Sequence, residues 1–334
     1  MNRRVAVLTA AAGMAAVLAS CSSPLGYRDY RPPATLVSPS ASSTVAHASL
    51  SRQVAGYFGV YDKDTPGSYH RIIQFTRAVG VKPNIVLYYA GLNGGLQMGL
   101  ANLAYAHGAT LAIYLDPVGK GNKYIPLSKI VNGNYDRHLK YIADTVRTFG
   151  HSVIISFGHE MNGDWYPWGY TKASPALWVK AWRHIVNLFR QEGADNVTWM
   201  WTINALSPGE APIRHWWPGA SYVDWVGFDA YYFHADQTFT STFGPTIAAI
   251  HKITKKPILI GETAVGPVAG QAAKIPGLLA GIHRAHLLGF IWFDISQSGS
   301  IFHQDWRLES NPEAVTAFRQ AAKRYLNNLT RPNG

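Results

Sequence analysis

A chain of 334 residues, 47% hydrophobic and only 15% charged, carries enough apolar surface for one large core, and an α/β barrel would use most of it. The formal net charge is +11, yet no Lys/Arg run longer than two follows the N-terminus and no nucleic-acid motif is present. That excludes the clustered basic footprint of a nucleic-acid binder, and a lone cysteine, Cys21, excludes an intrachain disulfide.

In chain order, Arg3-Arg4 give a positive start and Val5 to Ala19 a short, Ala-rich apolar run. The run is too short for a membrane span and is flanked like a signal peptide. Leu18-Ala19-Ser20-Cys21 follows and resembles the bacterial lipoprotein processing box. The resemblance implies cleavage before Cys21, lipidation of its thiol, and a protein held at the cell envelope outside the cytoplasm. A plain secretory signal with a chance cysteine is the competing reading. Residues 1–20 are thus expected to be a signal peptide. Residues 21–51, rich in Ser, Pro and Ala and without apolar periodicity, read as a tether. Residues 52–330 read as one catalytic domain.

From Gln53 onward apolar strands alternate with amphipathic helical stretches. Eight strands are predicted: Val54–Tyr61, Ile85–Ala90, Thr110–Leu115, Val153–His159, Val197–Ile203, Tyr222–Tyr231, Ile258–Thr263 and Gly289–Ile295. They are short and almost continuously apolar, as strands covered on both faces are. Between the third and fourth, Tyr135, Leu139, Ile142, Val146 and Phe149 repeat at helical spacing, with Gly150 placed to end the helix. After the fourth, Ser174-Pro175 offers a cap and a first-turn proline. Trp178, Trp182, Ile185 and Phe189 follow as a core stripe. Eight such units fit a (β/α)8 TIM barrel. An open doubly wound sheet would place a Gly-rich turn after the first strand, where Asp62-Lys63-Asp64-Thr65-Pro66-Gly67 stands instead.

Two carboxylates close strands. Glu160 ends Val153-Ile154-Ile155-Ser156-Phe157-Gly158-His159-Glu160, and Glu262 ends Pro257-Ile258-Leu259-Ile260-Gly261-Glu262. Barrel active sites lie at the C-terminal ends of the strands. A zinc-protease reading of His159-Glu160 fails, because position 163 is Gly where a second His is required. Two acids about 5–5.5 Å apart can act as nucleophile and proton donor in glycoside hydrolysis. Eleven Trp and 13% aromatics suit a cleft that stacks flat rings on sugars.

The block Gly158-His159-Glu160-Met161-Asn162-Gly163-Asp164-Trp165-Tyr166-Pro167-Trp168-Gly169 resembles glycoside hydrolase family 26, whose form here is His-Glu-Met-Asn-Gly-x-Trp-x-x-Trp-Gly. The resemblance implies a retaining β-glycosidase on a (β/α)8 barrel, chiefly an endo-β-1,4-mannanase. Mixed-linkage β-glucanases and β-1,3-xylanases belong to the same family. It implies Glu160 at the fourth strand as acid/base and Glu262 at the seventh as nucleophile; counting strands by hydrophobic pattern gives the same ordinals. It further implies a sugar-site border at His159, a phenol against the nucleophile at Tyr231, and stacking platforms at Trp165 and Trp292. Tyr232 competes with Tyr231, since adjacent strand residues face opposite ways. Asp229 orients sugars or only its neighbours. Asn162 and Asn204 bond sugar hydroxyls or serve as strand-end turn residues. In many family mannanases a Trp-His pair ends the third strand; here the place reads Tyr114-Leu115-Asp116-Pro117. Asp116 replaces a sugar contact or only starts the turn, and the departure weakens mannan specificity more than glycosidase chemistry. The loop Leu206–Pro218, with Trp216-Trp217, lines further subsites or packs on the rim.

The expected partner is a polysaccharide, with no metal, no organic cofactor and a monomeric state. The reading of another class is a carbohydrate-binding lipoprotein on an inactive barrel, against which both strand-end glutamates argue.

Overall fold

A computed structural model of the protein describes residues 50, 52–206, 212–300 and 302–326. The signal segment, Cys21 and the tether to residue 49 lie outside the described residues. Eight parallel strands close into a barrel in sequence order: β1 Tyr57–Tyr61, β2 Ile85–Gly91, β3 Thr110–Asp116, β4 Val153–Phe157, β5 Val197–Asn204, β6 Trp225–Asp229, β7 Ile258–Thr263 and β8 Gly289–Phe293. Closure comes from β1 against β8, Tyr57 opposite Gly289 through Tyr61 opposite Phe293.

Helices α1 His70–Val79, α2 Met98–Ala106, α3 Leu127–Val131, α4 Asp136–Phe149, α5 Pro175–Gln191, α6 Phe239–His251, α7 Gln271–Arg284 and α8 Pro312–Tyr325 accompany the strands. The helix ends obey local chemistry. Ser174 Oγ accepts from the Leu177 amide at 3.3 Å and Pro175 opens α5. Gly150 stops α4 in left-handed geometry, with φ 73, where a side chain would be strained. Trp178, Trp182, Ile185 and Phe189 are all buried. Trp216 is buried too, 6.1 Å from the Trp178 ring, so this part of the long loop packs on the rim.

Two predicted strands stop early. The fourth ends at Phe157 and the sixth spans only Trp225–Asp229. At the fourth, Gly158 turns to φ 52 and Glu160 to φ 51, so the chain leaves the sheet before the acid. A non-Gly residue there costs roughly 1–3 kcal/mol and persists when its surroundings hold it. Here they do: the Glu160 amide donates to Thr202 O at 3.0 Å, Trp178 Nε1 donates to Gly158 O at 3.2 Å, and Trp168 Nε1 to His159 O at 2.8 Å. After β8 a short hairpin, β9 Ser296–Gln297 with β10 Gln304–Asp305, folds over the barrel mouth.

Candidate active site

The C-terminal mouth of the barrel gathers its acids, one histidine and a ring of tyrosines. Glu160 is fully buried. Its Oε2 accepts from Trp165 Nε1 at 2.9 Å, while Oε1 is buried without a partner. Burial raises the Glu160 pKa to about 8; Glu262 adds to the rise, against the pull of His159 and of the Trp165 bond.

Glu262 is aimed by a bulge. In the pairing of β6 with β7, Phe228 faces Ile260 but Asp229 faces Glu262, and β8 likewise skips one residue of β7 between Ile260 and Thr263. Gly261 is the extra residue. A Cβ there would lie 2.3 Å from Tyr114 Oη and 2.6 Å from Asp229 Oδ1, so only glycine lets the strand kink over that pair. Bulges beside active sites re-aim side chains in this way. The Glu262 carboxylate accepts from Tyr231 Oη at 2.5 Å on Oε2 and from Tyr89 Oη on Oε1. Burial raises its pKa, opposed by His159 and by the two phenols.

His159 is buried between Asp116, at 2.8 Å from Nδ1, and Tyr166 Oη, at 3.1 Å from Nε2. Burial alone would lower its pKa, but the Asp116 charge and hydrogen bond, with the charges of Glu160 and Glu262, outweigh that and raise it to about 9. Burial lifts Asp116 as well, against the pull of His159. The histidine's contribution to stability is therefore fully present below its ordinary 6.5 and is lost as pH rises through about 9. Asp116 accordingly holds the imidazolium rather than standing at a sugar-facing surface. Removing one partner of a buried pair costs about 3–5 kcal/mol, so Asp116→Ala is expected to lower stability by that amount. Urea unfolding checks this; a loss under about 1 kcal/mol, the range of an exposed pair, would contradict the ion pair.

The structure brings Glu160, Glu262, His159, Trp165 and Tyr231 together, with Tyr231 rather than Tyr232 on Glu262. Trp292 differs from expectation, while Asn162 and Asp229 take the structural one of their two readings. Trp292 is no platform: it is fully buried, donates to Trp306 O at 2.9 Å and packs 6.3 Å from Phe318 of α8. Strand alternation turns it to the helix layer and turns Phe293 inward. Asn162 is not at a sugar face. It is buried and clips the β4 and β5 ends, with Nδ2 donating to Asn204 O at 3.0 Å and Oδ1 accepting from Asn204 N at 2.8 Å. Asp229 lies wholly buried under the site, accepting from Tyr114 Oη at 3.0 Å. Burial, then the charge of Glu262, holds its pKa well above the usual carboxylate range.

Tyr89, Tyr114 and Tyr166 were not singled out by sequence reasoning. The dipeptide Tyr88-Tyr89 did carry a signal, since neighbours on a strand face opposite sides. Tyr88 Oη bonds Gly95 O, outside the site, while Tyr89 meets Glu262. A pocket opens beside Glu262, walled by Tyr89, Tyr166, Tyr231, Phe233 and Phe293 and by Gln297, Phe302 and Trp306 of the hairpin region. It offers ring faces and a carboxylate, the lining that suits the C–H faces of a sugar.

Residues 128–321 match the glycosyl hydrolase family 26 profile. Endoglucanase H of Acetivibrio thermocellus is 31% identical over 237 residues, covering 66% of this chain and 25% of that protein. Mannan endo-1,4-beta-mannosidase of Bacillus subtilis strain 168 is 28% identical over 155 residues, 42% of this chain and 41% of that protein. The chain thus spans a quarter to two-fifths of these two relatives. Among solved structures, the catalytic domain of a Bacillus sp. JAMB-750 endo-beta-1,4-mannanase superposes with a TM-score of 0.64 at 19% identity, covering 85% of this chain and 89% of that one. That likeness is one of fold, a (β/α)8 barrel.

Proposed function

Because this chain belongs to glycosyl hydrolase family 26, we propose that it is a retaining, endo-acting β-glycoside hydrolase with Glu262 as nucleophile and Glu160 as acid and base. The observation that carries this reading is the opposed setting of the two acids. Glu262 receives a phenol on each oxygen, which favours its charged form. Glu160 is buried with one oxygen unpartnered and its pKa raised to about 8, which keeps it protonated at neutral pH. In the first step a Glu262 oxygen bonds the anomeric carbon. The glycosidic C–O bond breaks, and the Glu160 proton passes to the leaving oxygen. In the second, Glu160 takes a proton from water, the water oxygen bonds the anomeric carbon, and Glu262 leaves with overall retention. Asp116-bound His159 keeps a positive charge close to both acids.

For the substrate we propose β-1,4-mannan, on the mannosidase relatives. A mixed-linkage β-glucan is the second reading, favoured by the endoglucanase match. The purified chain is to be incubated with β-mannan, galactomannan, lichenan and β-1,3-xylan, and the products sized. Short oligosaccharides from one of them support the reading; binding without cleavage of any favours the non-catalytic lipoprotein.

Anchoring through a lipid on Cys21 is part of the proposal, supported by Leu18-Ala19-Ser20-Cys21 directly after the apolar run. Cys21→Ala is expected to shift the protein from the membrane fraction to the soluble one. Unchanged sedimentation with membranes would contradict it.

A further inference from the structure

Tyr231 reaches Glu262 from just past β6, the strand beside β7; Tyr89 reaches it from β2, three strands away around the barrel. The Tyr89 ring is fixed in that pose. It stands nearly perpendicular to the rings of Tyr61 and Tyr114, at 5.0 and 5.5 Å between centroids, and His159 lies 5.4 Å away. One carboxylate thus holds two phenols, one per oxygen, where a single donor would suffice to orient it.

We infer that Tyr89 is a second positioning donor on the nucleophile, and that it sets how long the sugar stays covalently attached. The inference rests on the proposed role of Glu262. When one Glu262 oxygen bonds the anomeric carbon it becomes an ester oxygen, a poor acceptor, and only the carbonyl oxygen keeps a strong phenol bond. Forming the intermediate therefore weakens one phenol contact. Hydrolysis restores it: the anomeric C–O bond to Glu262 breaks, the electron pair returns to the carboxylate, and both phenols donate again. Neither phenol gives up its proton in either step. Burial, then the charge of Glu262, holds the Tyr89 phenol well above its ordinary range. Two phenols favour carboxylate over ester, so the second one speeds release.

Tyr89→Phe removes one oxygen and keeps the ring. Tyr88→Phe, whose hydroxyl bonds Gly95 O, is the structural control. The first readout needs no turnover: carbon-13 NMR titration of the full chain labelled at glutamate, with the Glu262 signal identified by its loss in Glu262→Gln. Glu262 is faced by His159 and Glu160 from the β4 end, Asp116 and Tyr114 from β3, Asp229 from β6, and Tyr166 and Tyr231 from the loops. None of these is altered, so a changed midpoint reports the lost phenol. The midpoint is expected about one pH unit higher in Tyr89→Phe, a tenfold change in proton affinity, and unmoved in Tyr88→Phe. An unmoved midpoint in Tyr89→Phe overturns the inference, whether or not the protein cleaves any polysaccharide. The second readout uses an aryl β-glycoside cleaved by the parent chain. Tyr89→Phe is expected to show a burst of phenol release and about tenfold slower steady turnover; the parent's rate without a burst also overturns it. A parent chain that cleaves nothing sinks the glycosidase reading instead, and the titration still decides the donor.

Discussion

Glu262→Ala is expected to lower turnover of the polysaccharide by about 10,000-fold or more while leaving substrate affinity near that of the parent. Removing the nucleophile of a unit that acts together costs most of the rate above that of water and binding alone. The side chain lines the pocket with both oxygens held by Tyr231 and Tyr89, so its loss removes the group placed to add to the anomeric carbon. Initial rates on the polymer and affinity electrophoresis in the same gel-embedded polysaccharide separate the two effects. Turnover within tenfold of the parent would remove Glu262 from the reaction.

Glu160→Ala is expected to act selectively. A positioned general acid contributes about 100- to 10,000-fold, and that loss falls on natural substrates, whose leaving oxygen needs a proton. Aryl glycosides with acidic leaving groups need little help in the first step and are expected to lose far less in it. Equal slowing of both substrate types would argue against the acid role. The pH profile of the parent carries the same claim with a defined sign. Glu160 must enter protonated, and its pKa is raised to about 8, so activity is expected to fall as pH climbs through about 8. Glu262 must be ionised, and burial raises its pKa, so the acidic limb is expected above the ordinary carboxylate range. Because the two acids act on each other, these limbs belong to the pair. In Glu160→Ala the alkaline limb at about 8 should vanish from the aryl glycoside profile.

Much of this architecture was legible because the decisive signals are local. Apolar runs bounded by turns mark eight strands, and each glutamate closes such a run, which places both acids at the barrel mouth. The Ser174 cap and the Gly150 stop were equally local. What stayed hidden depends on register and on distance in space. Alternation puts Trp292 and Phe293 on opposite faces without saying which face is the interior, and the richer aromatic was assigned to the wrong one. The Gly261 bulge leaves no trace in the apolar pattern, yet it aims Glu262 over Tyr114 and Asp229. The Asp116–His159 pair joins positions 43 apart in sequence, and Tyr89 meets Glu262 across 173. Neither contact has a sequence signature: the first arises only when β3 pairs with β4, the second only when the barrel closes.

The most direct test of the two-acid site is covalent capture. The parent chain is treated with a 2-deoxy-2-fluoro β-mannosyl or β-glucosyl donor bearing an activated leaving group, which slows both steps but lets the first one accumulate. The chain is then digested and its peptides weighed. A fluorosugar ester on Glu262, absent from Glu262→Gln, is the predicted result. A label on another carboxylate, or free sugar of inverted configuration with no label on any peptide, would contradict nucleophilic attack by Glu262.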